Sequence, residues 1–375
     1  MRLYTIPSLL LLAGLAACSS PRLVPTSNVT DGTPAVTTHN YNGTASVGDF
    51  LTITVDSVTA TLNYTNLSNG QSATVPYTIN ADGSYKLNDP TGNLLAAYEV
   101  PGYAMVIESA KSGPSQNTPA LITAVESGPI TISTFENNNY NYMQMRTAFG
   151  GLDVGTANIG NSAVQTSSYW PFGAISGGGN TPFNSSTMPL SLFTENASGT
   201  SLTGTVPDGG GSVTLFGTAN GFFVVDTANG SILGLPKATS AAFNPANAGT
   251  YSAIYYQKLN VTGGSDGVET GAQSFAKATI SVSSAGAMII TNPSGTVISQ
   301  GTLLPVSSVP YLYGTGELTD PCYGLFTYRI TTSTTQQDIF VSFVSGAMLF
   351  SSFEAPLPWN NSNSVYNYYY GVGLN

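Results

Sequence analysis

The stretch that decides the fold class runs from residue 58 to residue 64 and reads VTATLNY. Apolar and polar side chains alternate along it, with Val58, Ala60, Leu62 and Tyr64 set against Thr59, Thr61 and Asn63. Alternation at a period of two predicts a strand with one buried face. Thr, Val, Tyr and Gly dominate the chain from Phe50 onward, and they favour strands and turns over helices. The sequence therefore predicts an all-β fold.

Further apolar runs of strand length lie on both sides of this stretch. In the first half they are 50–55, 73–79, 94–100, 103–108, 120–125, 130–135 and 140–147. In the second half they are 212–216, 222–225, 250–257, 279–282, 288–290, 325–330, 339–344 and 347–350. Almost none of these windows combines helical apolar spacing with good helix formers, so we expect strands throughout.

Three segments share a spacing that is typical of hairpins. Gly83–Gly92, Gly221–Gly230 and Gly286–Gly295 each hold two glycines nine positions apart, with an apolar run between them. The sequences Asp89-Pro90-Thr91-Gly92 and Asn292-Pro293-Ser294-Gly295 contain the residues that a type I turn favours. The copies are imperfect and unevenly spaced, which disfavours a regular solenoid or propeller.

We expect two domains of antiparallel strands and hairpins, each resembling a β-sandwich or β-barrel. Glycine triplets at 177–179 and 209–211 interrupt the apolar pattern and place a connector at 176–211. The predicted domains are residues 48–175 and 200–375, and a single larger β structure is the alternative. Closure into barrels or packed sandwiches would protect edge strands in a chain with few lysines.

The composition excludes several function classes. Only 9 basic and 19 acidic residues occur among 375, whereas an ordinary soluble protein is about 25% charged. Without a basic run the chain cannot neutralise a track of phosphates, so no nucleic-acid partner is expected. A hydrophobic content of 41% permits a large core. The scarcity of basic groups also limits cationic repulsion in acid, and we therefore expect the protein to tolerate acidic surroundings.

The N-terminus carries a short apolar run after Met1-Arg2, and the run ends in Leu15-Ala16-Ala17-Cys18. The run is too short to span a membrane and is typical of a secretory signal, predicted here as residues 1–17. Leu15 to Cys18 resembles the lipobox of bacterial lipoproteins. That resemblance implies cleavage before Cys18 and acylation of Cys18 by palmitate-type chains. Ser19 after the cysteine is compatible with the outer membrane in that family.

Residues 18–48 are rich in Ser, Thr, Asn, Pro and Gly and show no period, so they are predicted to be a flexible tether behind the lipidated cysteine. Acylation of Cys18 would leave Cys322 without an intrachain partner. We expect Cys322 to be a buried free thiol. The only histidine is His39, and no closely spaced cysteine pair occurs, so no metal or other cofactor is expected.

Two kinds of hydrolase remain as alternatives. Residues 222–227, which read FFVVDT, are similar to the strand and turn that carry the catalytic Asp of pepsin-like aspartic proteases. Ala228 stands where that motif has glycine, and no second copy occurs, so Asp226 is expected to begin a hairpin turn. A glycosidase pair could come from the following acidic residues: Glu99, Glu108, Glu126, Glu136, Glu195 and Glu354. Neither pattern outweighs a non-catalytic role.

Clusters of aromatic and amide residues are the main candidate binding feature. They lie at 137–142, 169–172, 359–361 and 366–370, and the predicted ligand-binding residues in them are Tyr140, Tyr142, Trp170, Trp359 and Tyr368. Flat rings beside amide groups suit neutral, hydroxyl-rich ligands or protein partners. Packing of the same tyrosines in a core is the alternative. The sequence as a whole predicts an exported, lipid-anchored envelope protein with a non-catalytic binding or structural role, in which the aromatic and amide clusters could recognise a glycan or another protein.

Overall fold

The structure is a computed structural model that describes residues 37–112, 118–146, 153–169, 183–206, 211–218, 221–263, 269–306, 322–344, 346–357 and 365–375. The predicted signal segment, Cys18, Trp170 and Trp359 lie outside these residues. The chain from Thr37 to Asn375 forms one compact unit. It is built almost wholly from antiparallel strands, as the alternating sequence patterns predict.

The first eight strands form a closed barrel. They are β1 (Thr38–Ala45), β2 (Phe50–Asp56), β3 (Thr61–Asn66), β4 (Ser72–Ile79), β5 (Tyr85–Leu87), β6 (Leu94–Val100), β7 (Ala104–Ser112) and β8 (Thr118–Glu126). Each strand pairs with the next, and β1 also pairs with β8 to close the ring. Apolar side chains such as Leu51, Ile53 and Val55 fill the interior from alternate positions of β2, so the barrel is a packed core.

Nine strands form the second sheet. They are β9 (Asn138–Met145), β10 (Val154–Ile159), β11 (Ala163–Tyr169), β12 (Phe183–Pro189), β13 (Phe193–Glu195), β14 (Leu202–Val206), β15 (Gly211–Gly217), β16 (Phe223–Thr227) and β17 (Gly230–Pro236). A one-turn helix, α1 (Ile132–Phe135), precedes β9, and a 3-10 turn spans Leu190–Leu192. The strand order is β12-β11-β10-β9-β17-β16-β15-β14-β13, so the first strand pairs with the last.

Nine more strands form the third sheet after a 3-10 turn at Pro245–Asn247. They are β18 (Gly249–Gly263), β19 (Glu269–Val282), β20 (Ala287–Thr291), β21 (Val297–Thr302), β22 (Leu304–Pro305), β23 (Leu325–Thr331), β24 (Thr335–Val344), β25 (Ala347–Pro356) and β26 (Tyr366–Leu374). The order β21-β20-β19-β18-β26-β25-β24-β23-β22 repeats the connectivity of the second sheet strand for strand. The second and third sheets therefore share one topology.

The third sheet curls around its own core. The Ser299 hydroxyl on β21 lies 2.8 Å from the Tyr328 hydroxyl on β23, so two strands far apart in the sheet order approach each other. Gly301 permits this approach, because a Cβ there would lie 2.4 Å from the Tyr328 ring. The enclosed core includes Ile280, Ile339 and other buried apolar residues. A separate, larger core contains side chains from the barrel and both sheets and unites the three parts.

Two expectations about domain organisation differ from this arrangement. Residues 176–211, predicted to be a connector, contain β12, β13 and β14. The predicted tether 18–48 includes β1, which completes the barrel. Both segments are rich in Ser, Thr, Asn and Gly, and their strands are held by backbone pairing with neighbours, which leaves no apolar period in the sequence. The predicted boundary between 175 and 200 therefore falls inside the second sheet.

Local predictions had mixed outcomes. All three glycine-spaced segments form hairpins, and Gly92 and Gly295 donate backbone hydrogen bonds to Asp89 and Asn292 as expected in the turns. Cys322 is a buried free thiol, as expected. In contrast, the run at 130–135 contains α1 and is not a strand. Residues 57–60 form the turn before β3, so the strand in the fold-deciding stretch begins only at Thr61.

Candidate functional site

A cavity of about 330 Å³ adjoins the core of the third sheet. Its lining comes from β18, β20, β21, β24, β25 and β26, so the curl of the sheet creates it. Its volume lies within the range of about 300–1,000 Å³ that is usual for small-molecule sites. Aromatic and amide side chains line much of it, which makes it the best candidate for ligand binding among the described residues.

Three rings, Tyr255, Phe350 and Tyr369, form one side of the cavity, and we call them the aromatic floor. Their centroids are 5.5 Å apart for Tyr255 and Tyr369, and 6.1 Å apart for Phe350 and either tyrosine. Rings at these separations touch one another, so no slot remains between them for a cation. The planes of the three rings are inclined to one another by 56–65° and Phe350 is fully buried, so Tyr255 and Tyr369 supply the apolar surface that a ligand can contact.

Gly371 allows the rings of the floor to pack this closely. A Cβ at this position on β26 would lie 2.6 Å from Phe350 Cζ and 2.6 Å from Tyr255 Cβ. Such distances are well below van der Waals contact, so any larger residue would displace a ring. The shape of the cavity therefore depends on glycine at position 371.

Polar side chains form the wall next to the aromatic floor, on the same face of β24, β25 and β26. Asn367 donates from Nδ2 to Glu354 Oε2 at 2.9 Å, and this bond orients the carboxylate. Gln337 donates from Nε2 to Ser352 Oγ, also at 2.9 Å. Among the described residues that line the cavity, Glu354 is the one with a formal charge at neutral pH. The wall therefore offers amide donors and acceptors, a hydroxyl and one carboxylate, which together match a ligand rich in hydroxyl groups.

The hydroxyl of Tyr369 is buried beside this wall without a hydrogen-bond partner. Burial, the largest cause, raises its pKa far above the ordinary value, whereas the nearby Ser352 hydroxyl acts in the opposite direction. The two hydroxyls do not reach hydrogen-bond geometry. Burying an unsatisfied hydroxyl costs about 1–3 kcal/mol. The aromatic floor therefore contains a local penalty that its packing must offset.

The rim of the cavity is apolar. Leu259 on β18 and Ile298 on β21 line it and remain 36% and 43% exposed. Exposed aliphatic side chains at the mouth of a concave site are covered when a ligand enters, which contributes to affinity.

Most predicted ligand-binding residues occupy other places. Tyr140, Tyr142 and Tyr368 are at most 7% exposed, and all three belong to the core shared by the barrel and the sheets. Tyr140 stacks on Phe223 at 5.0 Å, and Tyr368 stacks on Tyr370 at 6.4 Å. The expectation of an exposed recognition surface at these three tyrosines is therefore corrected. Their rings pack against apolar neighbours because their strands turn that face toward the core.

The cavity uses the residues next to one of the predicted positions. On β26, Asn367 and Tyr369 line the cavity, whereas Tyr366, Tyr368 and Tyr370 point into the shared core. Successive side chains of a strand face opposite sides, so a shift of one residue exchanges the two environments. The alternation of Tyr and Asn at 366–368 is the signal that could have located the site.

Asp226, considered for the hydrolase alternative, lies on β16 and is 8% exposed. Its neighbour of like charge is Asp49, which is 1% exposed. An aspartic protease presents its paired carboxylates to substrate. In this structure the barrel and the second sheet enclose both side chains, so a substrate has no access to them.

The described part of the chain contains no helix that is long and apolar enough to cross a membrane. Within the same residues, no group of three or more His, Cys, Asp or Glu side chains is arranged to hold a metal ion.

Comparisons with known proteins give limited information. No protein-family model matches the chain, and no curated protein matches it in sequence. Among solved structures, it is similar to a double mutant of the vaccine antigen Transferrin Binding Protein B from Haemophilus parasuis, at 8% identity and a TM-score of 0.20. That match covers 90% of this chain and 75% of the other. A single mutant of the same antigen matches at 9% identity and 0.20, with coverages of 87% and 66%. At this TM-score the similarity supports no inference about function.

Proposed function

We propose that this protein is an exported, lipid-anchored component of the cell envelope and that its folded body binds a neutral, hydroxyl-rich ligand, a saccharide, without catalysis. The observation that carries the binding role is the cavity of the third sheet, where an aromatic floor lies next to amides and one carboxylate. The apolar face of a sugar ring packs on aromatic side chains, and its hydroxyls bond to amides and carboxylates. The anchor is proposed from the lipobox at Cys18.

The chemistry of the cavity favours a neutral saccharide over an amine. A cationic ligand would gain from Glu354, but rings that enclose a cation need space between them, and the aromatic floor has none. Glu354 is also already bonded to Asn367, which leaves it suited to accept a hydroxyl hydrogen bond.

Titration calorimetry on the full-length protein in detergent, with a panel of neutral oligosaccharides and simple amines, tests the binding role. We expect at least one saccharide to bind and the amines not to bind. Glu354→Gln should weaken saccharide binding about tenfold, since hydrogen bonds to a charged group contribute about 1.5–3 kcal/mol. Asn139→Ala, an exposed position on β9, is the matched control and should bind normally. Amine binding that Glu354→Gln abolishes would contradict the saccharide proposal.

The anchor needs a separate test. Membrane fractionation should recover the native protein with the envelope and the Cys18→Ser variant in the soluble fraction, because stable anchoring requires two or more acyl chains. Mass spectrometry of the mature N-terminus should show a diacylglycerol-modified cysteine. An unmodified Cys18 would refute the anchor and leave the binding proposal standing.

A further inference from the structure

The barrel meets the second sheet at a close backbone contact. The turn between β1 and β2 lies against the hairpin between β16 and β17, where a Cβ on Gly48 would lie 2.4 Å from the carbonyl oxygen of Thr227. Gly48 also has a φ of +90°, a conformation that other residues rarely adopt. The turn can therefore dock on the hairpin only with glycine at this position.

Two carboxylates are buried at this contact, one from each side. Asp49 follows Gly48 and accepts hydrogen bonds from Asn66 Nδ2 at 2.8 Å and from Ser112 Oγ at 2.5 Å. Asp226 on β16 accepts a hydrogen bond from Thr44 Oγ1 on β1 at 2.5 Å. We call this group the Asp49–Asp226 contact. Because the carboxyl of Asp226 is enclosed and lies near a carboxylate of like sign, its deprotonation is unfavourable.

The surroundings of Asp226 provide little compensation for a negative charge. Its register partners in the second sheet, Thr214 on β15 and Ser231 on β17, are uncharged. Among the described residues, the titratable group that faces it from the barrel is Asp49. Two basic side chains on neighbouring elements are engaged elsewhere or exposed. Arg146, which follows β9, lies 3.7 Å from Asp153, and Lys111 beside Ser112 is exposed to solvent.

The net effect of these surroundings is to raise the pKa of Asp226. Burial, the largest cause, together with the charge of Asp49, raises the pKa of Asp226 to about 7, and the hydrogen bond from Thr44 partly opposes the shift. A group with a raised pKa in the folded state stabilises the fold below its unfolded pKa and loses that effect as the pH rises through the folded value. The window for Asp226 therefore lies between about pH 4 and pH 7.

We propose that the Asp49–Asp226 contact is a pH-sensitive joint, in which the protonated, buried carboxyl of Asp226 keeps the barrel docked on the second sheet. In mildly acidic surroundings the joint is closed. Above neutral pH the negative charge of Asp226 weakens the joint, and the β1–β2 turn separates more readily from the β16–β17 hairpin. This device is independent of the saccharide cavity, which lies in the third sheet.

Hydrogen-exchange mass spectrometry of the full-length protein in detergent tests the joint. After correction for the intrinsic pH dependence of exchange, peptides that contain residues 44–49 and 223–231 should exchange about 30-fold faster at pH 8.5 than at pH 5.5. This factor follows from a pKa of about 7 in the closed state and 3.8 in the open state. Strands β20 and β24 of the third sheet should show no such change.

Variants separate the joint from general destabilisation. Asp226→Asn keeps the shape and the acceptor for Thr44, and it should abolish the pH effect. Thr44→Val removes the hydrogen-bond donor and should retain the effect. If Asp226→Asn fails to fold, the difference in wild-type exchange between pH 5.5 and pH 8.5 still tests the proposal. Equal pH effects in the wild type and Asp226→Asn, or acceleration spread evenly over all strands, would overturn the proposal.

Discussion

Replacing Tyr369 with phenylalanine is expected to stabilise the protein. The Tyr369 hydroxyl is buried and lacks a hydrogen-bond partner, a situation that costs about 1–3 kcal/mol. Phenylalanine keeps the ring in the aromatic floor and removes only the unsatisfied oxygen. Allowing for lost contacts of that atom, we expect the free energy of unfolding to rise by about 1 kcal/mol. The thermal midpoint should then rise by roughly 1–2 °C, since the entropy of unfolding is large in a chain of this length.

A matched substitution in the same core should act in the opposite direction. The Tyr328 hydroxyl bonds with that of Ser299 at 2.8 Å, and both residues are buried. Tyr328→Phe leaves Ser299 without this partner and should lower the free energy of unfolding by about 1–2 kcal/mol. Urea and thermal unfolding of both variants measure the difference. Equal losses of stability in both would mean that the Tyr369 hydroxyl is bonded in solution, and the argument from the unsatisfied group would fail.

Further predictions concern other parts of the third sheet and the anchor. Gly371→Ala should lower the thermal midpoint, by an overpacking cost of about 1–3 kcal/mol, and should abolish ligand binding because the added methyl displaces the aromatic floor. Arg329→Leu leaves the buried carboxylate of Asp338 unpaired and should cost about 2–4 kcal/mol at neutral pH in urea unfolding. The loss should become smaller as the pH falls, because burial raises the pKa of Asp338. Titration with a thiol reagent should detect no thiol in the native protein and one, Cys322, after unfolding, whereas two would show that Cys18 is not acylated. Thermal midpoints should not fall between pH 6 and pH 4, and a collapse in that range would contradict acid tolerance.

Strands with one apolar face were predictable from the sequence. β2, β4, β6 and β8 all have alternating or continuous apolar residues, and their predicted ranges agree with the structure within a few positions. Hairpins with Asp or Asn, Pro and Gly at fixed positions were predictable for the same reason: the turn chemistry is local. Strands and turns that depend on a few adjacent residues were therefore predicted correctly.

Strands whose stability comes from pairing were missed. β12 reads FNSSTMP and β1 reads THNYNGTA, and neither has an apolar period. Within the barrel, Gly43 on β1 packs its backbone near Ala124, where a Cβ would approach to 3.2 Å, so a small residue is favoured there although it adds no hydrophobic signal. The predicted connector and tether were errors of this kind, because backbone hydrogen bonds to β11 hold β12, and those to β2 and β8 hold β1, without requiring apolar side chains.

The predicted ligand-binding residue on β26, Tyr368, is one position away from Tyr369, which lines the cavity. Tyrosines were expected to mark an exposed surface, but Tyr368 faces the shared core and Tyr369 faces the cavity. The face of a strand is set by its pairing with β18 and β25, and that pairing cannot be read from β26 alone. Gln337, Glu354 and Asn367 are register partners on the consecutive strands β24, β25 and β26, so strand pairing brings them together.

The low charge of the chain and the raised pKa values of several buried carboxyl groups both favour the folded state as the pH falls. Burial, the largest cause in each case, raises the pKa of Glu108, Asp153, Asp226 and Asp338. Groups whose pKa is raised by folding take up protons in the folded state before the unfolded chain does, so they favour the fold as the pH falls toward 4. With only 9 basic residues in the whole chain, little positive charge then accumulates to oppose it. We therefore expect the folded body to remain stable in mildly acidic surroundings, the range in which the proposed joint would be closed.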